Sequence, residues 1–138
     1  MEIRKAKISD LEQLIKFRDN IPQLSEFNIN ISAFYEYMIK KGIAIVCIEN
    51  EKIIGMMLGE IDEDTKSSYI FDCAVKKDKR LVGIGNEMYS LYLADCRKNG
   101  MKFVSAHVLE SNKKAVEIFK KVGFTIGRKY YFIYKKID

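Results

Sequence analysis

The chain is poor in metal-binding and chain-breaking residues. It has one histidine, His107, one proline, Pro22, and three cysteines, Cys47, Cys73 and Cys96. A lone histidine and no cysteine pair at ligand spacing leave no donor set for zinc, so no metal is expected. Each cysteine sits in an apolar or helical run, and their number is odd. Buried free thiols in a reducing cytoplasm are therefore expected. No apolar stretch reaches the ~18 residues of a membrane-spanning helix. The opening MEIRKAKISD is polar and lacks the apolar centre of a signal peptide. No repeat, low-complexity tract or linker interrupts the 138 residues, and that length fits a single domain, 1–138.

What is present is a globular composition. Apolar residues make up 48% and charged residues 31%, which argues against disorder. The net charge of +5 means either solubility or a polyanionic ligand, the second only where the cations gather at a binding feature.

Periodicity gives the order β-α-α-β-β-β-α-β-α-β. MEIRKAK opens as a strand. Ser9 and Glu12 have capping-box spacing, and Leu11, Leu14 and Ile15 mark a helical face that ends at Arg18. NIPQLSEFNIN is a loop. Ile31, Phe34, Tyr35 and Met38 mark a second helix that Gly42 ends. IAIVCIE, IIGMMLGEID and SSYIFDCAV form an antiparallel meander. A helical face follows at Ile84, Met88, Leu91 and Tyr92, then the strand KFVSAHVL, which closes a right-handed parallel crossover. Ala115, Ile118, Phe119 and Val122 mark the last helix, and FTIGRKYYFIYKKI ends the chain as one long or two short strands. The fold class is α/β, with helices on both faces of the sheet.

The passage from strand to helix at DCAVKKDKRLVGIG carries the chemistry. A helix that starts straight after a strand exposes its first N–H groups and a partial positive charge, and anions bind there. Gly83 and Gly85 let the backbone approach a ligand, while Lys76, Lys77, Lys79 and Arg80 add positive field. This corner reads as a phosphate site. It is neither a dinucleotide fingerprint, because Met88 stands where the third glycine would be, nor a P-loop.

Arg80-x-x-Gly83-x-Gly85 resembles the signature of the GNAT N-acetyltransferase superfamily. Asn112-Lys113-Lys114-Ala115, then Phe119, then Gly123-Phe124 match the second half of that pattern, so the resemblance covers nearly the whole chain. It implies a three-layer fold with a mixed, mostly antiparallel sheet and a parallel splayed strand pair. It implies acetyl-CoA as co-substrate and direct attack by an amine in a ternary complex. By the same resemblance, Cys73, Ala74 and Val75 pair with the pantetheine arm. The amides of Leu81, Val82, Gly83, Ile84, Gly85 and Asn86 take the pyrophosphate beside Arg80, and an N–H near Val75 meets the thioester oxygen. Asn112 and Phe119 lie along the cofactor; Asn112 also suits a helix N-cap, and Phe119 also completes an apolar stripe.

The base is open between Asp72 and Glu60. Asp72 either gains a raised pKa beside the apolar arm, points to solvent or pairs with a lysine. Relatives often place a tyrosine where this chain has Phe119, so the acid is open among an unaided thiolate, Tyr130, Tyr131 and Tyr134. A lone strand histidine is more often structural, and no catalysis is expected of His107. Family likeness puts the acceptor pocket at residues 23–31 and 130–134, with Glu26, Tyr35 and Tyr37 as candidates to meet a cationic amine. The acceptor is a small molecule or a peptide amino group, and a homodimer is one option for assembly. The alternative reading is an acyl-CoA-binding module without turnover. Nucleic-acid binding is not expected, because the aromatics fall at core spacing.

Overall fold

The computed structural model describes residues 1–21, 30–80 and 83–137. Its contacts divide the chain into two compact units, Met1–His107 and Val108–Asp138.

The first unit is a five-stranded sheet in the order β1-β2-β3-β4-β5, made of β1 (Glu2–Lys5), β2 (Ile43–Glu49), β3 (Lys52–Asp62), β4 (Ser67–Val75) and β5 (Phe103–Ala106). The first three pairings are antiparallel, and β4 and β5 run parallel from Ser67↔Phe103 to Ile70↔Ala106. The described residues of this unit also form the helices α1 (Leu11–Asp19), α2 (Ile31–Lys41) and α3 (Ile84–Lys98). The tight β2–β3 turn places Asn50 and Glu51 at φ 52° and 64°, the left-handed pair that matches strand twist.

Alternation along the strands assigns the helices to opposite faces. Ala44, Val46, Met56 and Leu58 form one core with Leu14 of α1 and Tyr35 and Met38 of α2. The intervening Cys47, Gly55 and Gly59 lie against Met88 and Tyr92 of α3. Burial of each large side chain here contributes about 1.5–3 kcal/mol. β3 is buried from Ile53 to Gly59, as a central strand covered on both faces should be.

The start of α1 differs from the expected Ser9–Glu12 capping box. A short 3-10 turn, Ile8–Asp10, precedes the helix. Asp10 accepts from the Lys7 backbone N–H at 2.7 Å and from both terminal nitrogens of Arg4 at 2.8 and 3.0 Å. A carboxylate that gathers three donors outcompetes a serine hydroxyl for this corner. Arg18, expected to end the buried face, is itself only 6% exposed. Gly42 ends α2 as expected, its N–H bonding to the Met38 carbonyl. Most of the loop reading, at residues 22–29, lies outside the described residues.

The second unit contains α4 (Lys113–Lys121). The Asn112 side chain accepts from the Ala115 N–H at 3.2 Å, which is the N-cap role. Phe119 meets Phe124 edge to face, ring centroids 4.9 Å apart, so Phe119 has a packing role within this unit. The strands expected in FTIGRKYYFIYKKI do not form, as residues 124–137 have no strand structure. Tyr130, Tyr131 and Tyr134 are exposed in this segment. An alternating sequence becomes a strand only where its main-chain groups find a partner edge, and no such pairing occurs here.

Candidate active site

The site is built where β4 leaves β5. β5 ends at Ala106, opposite Ile70, and β4 runs on to Val75 with no strand on that side among the described residues. The β3–β4 register shifts between Leu58 and Gly59, which leaves Phe71 as an extra residue on β4. Such a bulge bends a strand, so the opening begins at the bulge. Beyond it, the Lys76 N–H donates to the Ile54 carbonyl at 2.8 Å. By ladder alternation Asp72 and Ala74 also turn their main-chain groups toward β3. Cys73 and Val75 then present theirs at the free edge, toward an extended ligand arm, with the Val75 carbonyl already accepting from Arg80.

Helix α3 starts just beyond that edge. Gly83 is its N-cap at φ 83°, a left-handed conformation that a side chain would strain, and no side chain caps the first amides. Among the described residues, a Cβ added at Gly83 or Gly85 would meet nothing within 4 Å, so this corner is open toward them. The first N–H groups of Ile84, Gly85 and Asn86 are therefore free to hold an anion. Leu81 and Val82 lie outside the described residues. The Arg80 Nε donates to the Val75 carbonyl at 3.1 Å and ties the loop back to the strand. Lys79 pairs with Glu49 at 2.8 Å, which reduces its share of the field; Lys76 lies 4.0 Å from Asp78. A cleft of about 1200 Å³ adjoins the loop, lined by Phe17, Ile53, Ile54, Val75 and the residues 76–80.

The candidate bases all lie on the α1/α2 face of the sheet. Asp72 neither reaches solvent nor pairs with a lysine. It is 5% exposed, and its Oδ2 accepts from the Tyr35 hydroxyl. Burial raises its pKa, while the Tyr35 hydrogen bond and the Arg18 charge pull it down. Tyr35 is itself fully buried, so it does not face an amine as expected. Burial and the Asp72 charge raise its pKa, which keeps the phenol protonated. Glu60 is half-buried and stands opposite Tyr69 across the β3–β4 pair. The Tyr69 hydroxyl in turn lies 2.9 Å from His107 Nδ1, with the rings 5.3 Å apart. His107 is exposed and is the first residue past β5, at the head of the opening. Burial and the charges of Glu60 and Asp72 raise the Tyr69 pKa, so this phenol also stays neutral. The Tyr69–His107 pair escaped the sequence reading because nothing in the local pattern links residues 38 apart.

Cys73 is exposed, against the expected burial, whereas Cys47 and Cys96 are buried; all three are free thiols. Desolvation by surrounding protein atoms and the Asp72 charge push the Cys73 thiol up to about 12. Glu26 lies outside the described residues, and Tyr37 is half-exposed on α2. Among the described residues no group of His, Cys, Asp or Glu is placed to hold a metal ion. No helix of the described residues is long and apolar enough to cross a membrane.

Residues 10–124 match the acetyltransferase (GNAT) family. The chain belongs to the GNAT acetyltransferase family. It is 29% identical over 129 residues to N-alpha-acetyltransferase 50 of Danio rerio, covering 86% of this chain and 77% of that protein. Two aminoglycoside acetyltransferases share its fold. Meta-AAC0020, from an uncultured soil metagenomic sample and in complex with sisomicin, superposes with a TM-score of 0.81 at 18% identity, over 99% of this chain and 96% of that one. AAC(6')-Iy in complex with CoA gives 0.82 at 14% identity, over 99% and 100%. As a GNAT enzyme, the protein transfers acetyl groups to amines.

Proposed function

We propose that the protein acetylates the α-amino group of a polypeptide, using acetyl-CoA bound along the free edge of β4. One observation carries this reading: β4 opens from β5 at Ile70 and leads directly to the uncapped, glycine-headed start of α3. An extended pantetheine arm would pair with Cys73–Val75 main-chain groups, and the amides from Gly83 to Asn86 would hold the diphosphate. An N–H on this edge, near Val75, would meet the thioester oxygen as it gains charge. The α-amino acceptor is favoured because the sequence relative is named for that activity, whereas the aminoglycoside enzymes share only the fold.

The acceptor arrives as an ammonium and must lose a proton before it can attack. Glu60, half-buried and opposite Tyr69 beside the opening, is the carboxylate we place there, taking the proton directly or through one water. The amine nitrogen then bonds to the thioester carbon, and collapse of the tetrahedral intermediate breaks the C–S bond. The thiolate leaves with its pair and takes a solvent proton, which its modest basicity permits and which suits a chain with Phe119 in place of a tyrosine. We place the reaction in the cytoplasm, where the exposed Cys73 stays reduced.

Release of free thiol from acetyl-CoA with peptides bearing free α-amino groups tests the reading, with sisomicin as comparison. Glu60→Gln should lower kcat about 10²-fold while the melting temperature holds. Tight CoA binding with no thiol release from any amine would favour the binding-module reading instead.

A further inference from the structure

The bulge that opens the strand pair is held from both sides by a buried tyrosine. From α2, the Tyr35 hydroxyl reaches Asp72, the residue just after the bulge. From α3, on the opposite face, the Tyr92 hydroxyl lies 2.6 Å from Ser68 Oγ, which also donates to the Glu60 carbonyl at 2.8 Å. Tyr35 and Tyr92 are both 0% exposed, Ser68 is 1% exposed and Asp72 5%. Next to Tyr35, Phe34 stacks on Phe71 itself, centroids 4.5 Å apart, so adjacent residues of α2 hold adjacent residues of β4. Gly59, opposite the shift, has no room for a Cβ, because Tyr92 Oη and the Tyr69 carbonyl occupy the space.

We propose that Tyr35 with Asp72, and Tyr92 with Ser68, are positioning residues that pin the β4 bulge and so fix where the acetyl group sits. The proposal rests on the acetyl group lying at the β4–β5 opening. A bulge is a local register error that could migrate along the strand, and a one-residue slip turns every following side chain to the other face. Here a slip past residue 72 would exchange the edge-facing Cys73 and Val75 for Asp72 and Ala74. Two hydroxyls anchored in separate helix layers prevent that slip without touching substrate. The pins also explain why a carboxylate sits in an apolar layer: its acceptor oxygen is consumed by Tyr35, with Arg18 supplying compensating charge.

Tyr35→Phe and Tyr92→Phe each remove one hydroxyl and keep the ring. Each should lower kcat roughly 10- to 100-fold, because a shift of about 1 Å at the reacting centre has that effect. KM for acetyl-CoA, set mainly at the diphosphate, should stay within about threefold. Deuterium uptake at residues 68–75 should quicken. Asp72→Asn, the conservative variant, still offers Tyr35 an acceptor oxygen and should keep more turnover than Asp72→Ala by about 10-fold. Equal loss in Asp72→Asn and Asp72→Ala would make Asp72 a base and overturn the proposal. Unchanged kcat in both tyrosine variants would overturn it too, even with faster exchange. If Tyr35→Phe fails to fold, Tyr92→Phe and Ser68→Ala carry the test from the other face. Deuterium uptake needs no acceptor, so slow exchange at residues 68–75 in a wild-type protein that acetylates no peptide would count against the acceptor reading, not against the pins.

Discussion

Gly59→Ala changes one hydrogen into a methyl group at the most crowded point of the sheet. The added Cβ would overlap Tyr92 Oη and lie 2.6 Å from the Tyr69 main-chain oxygen. The tyrosine could swing only by leaving Ser68, its 2.6 Å partner, and the main-chain oxygen belongs to a paired strand. Overpacking of this kind costs about 1–3 kcal/mol. Loss of the buried Ser68–Tyr92 hydrogen bond costs about 0.5–1.5 kcal/mol more. The variant should therefore be destabilised by about 2–4 kcal/mol. Unfolding entropy of about 2.1 cal/mol/K per residue gives about 0.3 kcal/mol/K for 138 residues, so Tm should fall by about 7–13 °C. A calorimetric or fluorescence melt reads this directly. Gly127→Ala is the control, because nothing lies within 4 Å of its added Cβ and Tm should move by no more than about 3 °C. A Gly59→Ala protein that melts within about 2 °C of wild type would refute the packing reasoning and weaken the Tyr92 pin with it.

Other expectations follow from the same geometry. The Arg4 hydrogen bonds hold the Asp10 carboxyl below its usual range despite partial burial. A carboxyl depressed in the folded state adds stability above its unfolded pKa and loses it as pH falls through the folded value. Asp10→Asn should thus be about 1–3 kcal/mol less stable than wild type at pH 7, with the gap closing below about pH 4 in urea melts. An unchanged gap at pH 3 would contradict the ion-pair account. Asn112→Ala removes the side-chain cap of α4 and should cost about 1 kcal/mol, seen as faster amide exchange in residues 113–116. Uniform exchange across both units would instead show that the cap acts on the whole chain.

The parts of this fold that were legible in the sequence are those set by local pattern. The three-strand run of β2, β3 and β4 showed in apolar strands broken by short turns, and α3 in the spacing of Ile84, Met88 and Tyr92. Gly83 and Gly85 announced the strand-to-helix corner, where Gly83 takes φ 83° and no side chain of the described residues caps α3. Pairings across the sequence were not legible. Tyr35 lies 37 residues from Asp72, and Tyr69 lies 38 from His107. Periodicity says which face such residues occupy but not what stands opposite. The same limit explains Asp72, whose alternatives of solvent or lysine omitted the tyrosine it meets. It also explains FTIGRKYYFIYKKI, where alternation and β-branched residues promise a strand but no ladder pairing forms. The cap at Asp10 was missed because its decisive donor, Arg4, belongs to β1 and not to the helix.

The central claim is that the open amides at the head of α3 receive the diphosphate of CoA. Gly85→Val tests it most directly, since the added side chain enters empty space in the free protein but occupies the ligand's approach. Helix propensity changes little on this exchange, by about 0.5 kcal/mol, so the free protein should melt within about 2 °C of wild type. At a CoA concentration of about 100 Kd the wild type should gain about 2.7 kcal/mol, or about 9 °C in Tm. The account predicts that Gly85→Val loses most of that gain at the same CoA concentration; an undiminished gain would contradict it.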